Sequence, residues 1–219
     1  DLLDRIFIDG LSGMAQGLFA TLIIGTIIQQ IGTLIGGPRG DMIFSIGKVA
    51  AALTGAGIGV GVAAKFKESY LVVVSAATAG MVGAFASKLL AGTVLVDGTM
   101  IFAGPGEPLG AFLAAYIGIE CGHLVAGKTK VDILVTPIVT IGTGSLVGLL
   151  VGPGVSKIMT SLGAMINWGV EQQPFLMGIV VSVLMGMILT LPISSAALGI
   201  ILNLSGLAAG AATVGCCCN

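Results

Sequence analysis

The chain has 219 residues, 56% of them hydrophobic and only 9% charged, with a formal net charge of −1 and a mean hydropathy of +1.11. Soluble domains carry roughly a quarter charged residues, so the composition is that of a polytopic membrane protein. The near-neutral balance, without any basic block, argues against a nucleic-acid partner and against a polybasic lipid-binding surface.

Hydropathy over a window of about 19 residues predicts seven spans joined by short polar turns. The first covers 11–36 and follows an apolar-acidic segment, 1–10, expected along the membrane interface. That amino end, Asp1-Leu2-Leu3-Asp4-Arg5, lacks the basic region of a cleavable signal, so the first span is expected to be retained. Gly36-Gly37-Pro38-Arg39-Gly40-Asp41 reads as a turn, 42–64 as the second span, 65–69 as a polar loop and 70–90 as the third span. The pattern then changes, and 91–108 is expected to be a short extended or re-entrant piece ending in Gly104-Pro105-Gly106-Glu107-Pro108. The fourth span is 109–126 and the fifth 131–151, with Pro137 positioned to kink it. Residues 152–173 carry Lys157, Ser161, Asn167, Trp168 and Glu171 and read as an interfacial or re-entrant helix. The sixth span covers 175–191 and the seventh begins near Ser195.

Thirty-six glycines predict close helix packing, because lipid supplies no hydrophobic drive between spans and small residues let backbones approach. Arg5, Lys65, Lys67, Lys128 and Lys130 fall on one side of alternating spans, so the positive-inside rule predicts a cytoplasmic amino terminus. Gly37-Pro38 with Ile43 and Ser75-Ala76-Ala77 recur as Gly152-Pro153 with Ile158 and Ser195-Ala196-Ala197, which would divide one transmembrane domain, 1–219, into repeats of about 11–108 and 131–219. The apolar ending Gly215-Cys216-Cys217-Cys218-Asn219, without a polar tail, reads as part of a longer chain.

Glu107 is the leading candidate for chemistry. Prolines deny helix hydrogen bonds and glycines permit unusual dihedrals, so Gly106, Glu107 and Pro108 lie where a helix crossing the bilayer would break. Irregular backbone at that depth persists only inside protein or beside a wet cavity, and a carboxylate there points to a solute or proton site. The bland alternative is a loop glutamate beside a helix amino terminus, with Pro108 at its first turn. Glu120 and His123, three residues apart on one helix face, form a second titratable pair: a proton relay, a solute contact or a self-satisfied buried pair. Lys48 and Lys88 read as snorkelling cations. Thr136, Thr140, Thr143 and Ser145 could line a pathway or hydrogen-bond between helices. Neither a P-loop nor a hydrolase or metalloprotease motif occurs, the four cysteines lack disulfide or metal spacing, and one histidine cannot build a metal site, so no cofactor is implied.

Gly104-Pro105-Gly106-Glu107-Pro108 resembles the Gly-Ile/Val-Thr-Glu-Pro signature of the membrane IIC subunits of the bacterial sugar phosphotransferase system. The run 101–216, with Tyr116-Ile117-Gly118-Ile119-Glu120-Cys121-Gly122-His123 and Leu191-Pro192-Ile193-Ser194-Ser195-Ala196-Ala197, is similar to the IIC-like family that includes the perfringolysin-regulator membrane protein. The resemblance implies an all-α, dimeric permease of a bacterial inner membrane, lipid-embedded, working with IIA and IIB proteins on a small polar solute such as a sugar. It carries the solute-contacting role of the signature glutamate onto Glu107. Pro105 and Gly106 depart from the signature, His123 follows the glutamate where family histidines precede it, and the few aromatics leave little for a sugar ring to stack on. Alternating access around Glu107 is therefore the expected function. The rivals are a non-transporting sensor or regulator of the same fold, and a proton or ion channel built on Glu120 and His123.

Overall fold

The computed structural model describes residues 5–96, 99–102 and 104–189, and the expected seventh span lies outside them. The described structure is helical apart from one two-stranded hairpin. Two compact units are distinguished, Asp1–Pro153 and Gly154–Asn219.

In the first unit, α1 (Arg5–Ile35) is 31 residues long and contains two π-helical turns, Arg5–Gly10 and Phe19–Ile23. Residues 5–10 therefore continue the span and do not form a separate interfacial segment. Thr21 and Thr26 hydroxyls donate to the Gly17 and Leu22 carbonyls, each at 2.8 Å, back-bonding that competes with the regular helix ladder. Gly36, at φ +64°, turns the chain directly into α2 (Gly37–Ala52).

Where the sequence predicts one span over 42–64, the structure has α2 and α3 (Thr54–Lys65) meeting at a 52° bend. Leu53 leaves helical geometry at φ −83°, ψ 11°, and the Thr54 hydroxyl caps the Ala51 carbonyl at 2.6 Å. The glycines that follow, Gly55, Gly57, Gly59 and Gly61, lower the local helix propensity and let the break persist. The third expected span is also interrupted. α4 (Tyr70–Ala84) stops at Phe85, and α5 (Ala86–Leu90) follows. Phe85 is 1% exposed, and its ring lies edge-on to Phe102 at 5.0 Å, an anchor that holds the interruption in place.

Strands β1 (Leu95–Val96) and β2 (Thr99–Met100) pair antiparallel, in line with the extended piece expected over 91–108. α6 (Pro108–Val125) and α7 (Asp132–Gln172) follow. The expected boundary near 151 is absent: α7 contains both Pro137 and Pro153. Gly37-Pro38 thus opens a helix whereas its proposed counterpart, Gly152-Pro153, lies inside one. The second Ser-Ala-Ala lies outside the described residues. In the second unit, α8 (Pro174–Leu189) follows α7, with Gly169 packed beside Met177.

Glycine seams hold the first unit together. Gly17 of α1 meets Gly57 of α3, Gly59 of α3 meets Ala76 of α4, Gly83 of α4 meets Gly110 of α6, and Gly118 of α6 meets Gly144 of α7, each backbone to backbone. Among the described residues, three helices are long and apolar enough to cross a membrane, Arg5–Ile35, Pro108–Val125 and Asp132–Gly169, and the bent pair adds a fourth. The outward side chains are large and apolar, including Ile27, Ile31 and Leu34 of α1 and Leu146 and Leu150 of α7, as a lipid-facing surface requires.

Candidate functional site

Three interruptions of helical backbone converge on Ala84. The first is the α2–α3 break: a Cβ on Gly55 would lie 2.8 Å from the Ala84 Cβ. The second is the end of α4 at Ala84 itself. The third is the Gly-Pro-Gly-Glu-Pro segment, which lies against that end. Gly106, at φ +72°, sits so close that a Cβ there would be 2.8 Å from the Ala84 carbonyl oxygen, and the Glu107 N–H donates to that same oxygen at 2.7 Å. Glycine is needed at 106 for both its dihedral and its clearance.

Glu107 is the residue before α6, with extended backbone at φ −99°, ψ 108°, and Pro108 occupies the first helical position. Its side chain makes no capping bond to its own helix, and its Oε1 is buried. The amino ends of α3 and α6, both carrying the positive end of a helix dipole, thus adjoin the carboxyl end of α4 around a partly buried carboxylate.

Glu120 and His123 lie elsewhere. Thirteen residues separate Glu107 from Glu120, about 20 Å along α6 at 1.5 Å per residue. Nor do Glu120 and His123 form the pair their spacing predicts. Arg5 Nε stands 3.1 Å from Glu120 Oε1, and Arg5 Nη2 donates to Glu68 Oε1 at 3.4 Å. The other Glu68 oxygen, Oε2, is 2.8 Å from His123 Nδ1. The result is a chain of charges, Glu120–Arg5–Glu68–His123, joining the start of α1, the α3–α4 turn and the carboxyl half of α6. Glu68 is its hub, with a side chain only 5% exposed, against 57% for His123. Aromatic rings floor the chain: the Arg5 guanidinium lies 4.6 Å from the Phe66 centroid, and Phe66 meets Tyr116 edge-on at 6.0 Å.

Arg5 and Glu68 are the residues that sequence reasoning overlooks, because Lys67-Glu68-Ser69 looks like an ordinary solvated turn. The available signal is Glu120 itself, a carboxylate in an apolar helix that requires a cation. Removing the hub has a defined consequence. Glu68→Ala strands the Arg5 and His123 partners, and after discounting for their exposure the expected loss is about 2 kcal/mol. Thermal unfolding in detergent checks it, and unfolding indistinguishable from the parent would show that the chain carries no stability.

The remaining polar candidates satisfy themselves locally, except Ser145, whose buried hydroxyl has no hydrogen-bond partner among the described residues. Thr140 and Thr143 donate to the carbonyls one turn earlier, at 2.8 and 2.7 Å. Thr136 donates to Asp132 at 2.5 Å, and Thr140 packs against Gly122 of α6. Lys48 and Lys88 lie over the Phe44 and Phe85 rings, at 5.4 and 5.3 Å. No group of three or more metal-ligating side chains occurs among the described residues.

A protein-family model described as phosphotransferase system, EIIC, matches residues 8–219. The chain belongs to the EIIC family. Searches of curated proteins and of solved structures find no match. Membership makes this EIIC chain a polytopic membrane protein of the phosphotransferase type of transport, with a transported solute and phosphotransfer partners implied in general terms.

Proposed function

We propose that this EIIC chain is the solute-translocating subunit of its system and that Glu107, flanked by Gly106 and Pro108, is the solute-contacting carboxylate. The carrying observation is the meeting of three backbone interruptions at Ala84 beside Glu107. α4 has 15 residues, about 22 Å of helix, against a hydrocarbon core of about 30 Å. With its Tyr70 end at the headgroups, Ala84 falls inside the core. Broken helices at that depth leave amides and carbonyls free to bind a polar solute, the arrangement around which transporter halves rock. A carboxylate adds acceptors for solute hydroxyls, and the signature resemblance assigns the same role to this glutamate.

On this reading the chain works by alternating access in a seven-span bilayer arrangement. The end bearing Lys65, Lys67, Lys128 and Lys130 faces the cytoplasm, as the positive-inside rule requires. Glu120 and His123 belong to the charge chain at that end and are second-rank solute contacts.

Uptake of labelled hexoses, hexitols and related polyhydroxylated solutes into vesicles holding the reconstituted chain tests the proposal. Gly106→Ala is expected to lose most of the uptake shown by the parent. The new Cβ must displace the backbone against Ala84 and with it Glu107. Undiminished uptake in that variant would detach the Gly-Pro-Gly-Glu-Pro segment from the mechanism.

A further inference from the structure

The chain contains no basic run, yet its fold assembles a basic face. Lys65 and Lys67 lie at the α3–α4 turn and Lys128 and Lys130 on the α6–α7 connection, and all four are exposed. The 2.8 Å contact between Glu68 and His123 ties that turn to the end of α6, bringing the two lysine pairs to the same end of the bundle. The acids on and next to these segments are engaged internally. Glu68 is buried between Arg5 and His123, and Glu120 is held by Arg5. Asp132 accepts from the Gly127 N–H at 2.9 Å and from the Thr136 hydroxyl. None of the four lysine side chains has an ion-pair or hydrogen-bond partner among the described residues. Lys67 is held at φ +57°, the one non-glycine residue with positive φ among those described.

We propose that this face binds the headgroup phosphates of anionic phospholipids. Two features favour a lipid surface over a soluble acidic protein. Each lysine pair lies at or just beyond the end of an apolar helix, at the level where headgroups sit. Beside them Tyr70 is 92% exposed, the amphipathic ring expected at a membrane interface. Lysines near an anionic surface each contribute to attraction, and none of these four side chains is ion-paired with a carboxylate among the described residues. The shared chemistry is a phosphate oxyanion, and its source is the bilayer. This inference does not depend on Glu107 or on transport.

The test uses the full chain in nanodiscs of phosphatidylcholine, with and without phosphatidylglycerol, reading thermal unfolding and the lipid retained in native mass spectrometry. Phosphatidylglycerol is expected to raise the unfolding temperature and to be retained. Replacing all four lysines by glutamine is expected to abolish that rise and cut retention at least about tenfold, while leaving unfolding in pure phosphatidylcholine unchanged. Replacing them by arginine should preserve both effects. The paired variants Lys65→Gln/Lys67→Gln and Lys128→Gln/Lys130→Gln should each lose part of the effect, which keeps the test open should the fourfold variant not fold. An anionic-lipid effect that survives in the glutamine variants would overturn the proposal. So would equal stabilisation of the phosphatidylcholine sample by inorganic phosphate, or binding of acidic soluble protein in place of lipid.

Discussion

Glu107→Gln is expected to lower solute uptake by roughly ten- to a hundredfold, the worth of one or two charge-assisted hydrogen bonds exchanged for neutral ones. The substitution keeps the side-chain volume and shape, and the backbone contacts that place the residue do not involve the carboxylate. The N–H bond to Ala84 and the acceptance of the Ala111 N–H by the Glu107 carbonyl at 3.0 Å both persist in the variant. Thermal unfolding should accordingly match the parent while transport falls. Equal uptake by parent and variant would remove Glu107 from the mechanism. Loss of folding together with uptake would give the carboxylate a structural role instead. Glu120→Gln, at the other end of α6, provides the contrast. It weakens the link to Arg5 and should lower stability more than it lowers uptake.

The largest effect on stability is expected at the helix seams. Gly59→Val places a Cβ against the Ala76 carbonyl, with the carbonyl carbon 2.7 Å away. Both are backbone atoms of α4, so no side chain can rotate aside and the two helices must separate. Overpacking of this kind costs about 1–3 kcal/mol and sometimes more, and the upper part of that range applies where a backbone opposes the new atom. Helix separation would also loosen the neighbouring seam between Gly55 and Gly80, which shares the same pair of helices. Gly142→Val in α7 is the control, since nothing lies within 4 Å of a Cβ there, and a change within about 0.5 kcal/mol is expected. Unfolding in a graded series of denaturing detergent compares the two. Equal behaviour would mean that the glycine seams do not govern stability.

Much of the membrane organisation was legible in the residues. The charge-poor composition required spans, the glycine excess required close backbone approach, and the helix start at Pro108 followed from the conformational limits of that residue, whereas the turn expected over 36–41 shrinks to Gly36, with 37–41 already helical. The interruptions within spans were less legible. Residues 42–64 and 70–90 are predominantly apolar, and hydropathy measures transfer into lipid without registering whether the helix ladder continues. The break at Leu53 depends on the Thr54 hydroxyl capping Ala51, and the end of α4 depends on Phe85 packing against Phe102. Prolines misled in the opposite sense: Pro153 marked an expected boundary yet lies inside α7, because neighbouring contacts in a membrane protein can compensate a single missing amide.

The candidate site divides in the same way. Glu107 could be singled out from Gly-Pro-Gly-Glu-Pro alone, since that pattern constrains the backbone wherever it occurs. Glu120 and His123 could be recognised as unusual in an apolar helix, but their partners could not. Arg5 and Glu68 are 63 residues apart in the chain, and neither has a local pattern that distinguishes it from a solvated charge. The absence of a basic run likewise pointed away from a lipid-binding surface, whereas the fold joins two distant lysine pairs and turns the neighbouring acids to partners other than those lysines.

The sequence by itself determined that the chain lives in a bilayer, roughly where most of its described helices run, and which carboxylate is set in irregular backbone, because each of these follows from local polarity and dihedral freedom. Only the tertiary structure decided that three helix breaks meet at Ala84, that Glu68 unites Arg5 with His123, and that four lysines share one end. Those outcomes rest on contacts between segments distant along the chain, and only close packing of the glycine-lined helices brings such segments together.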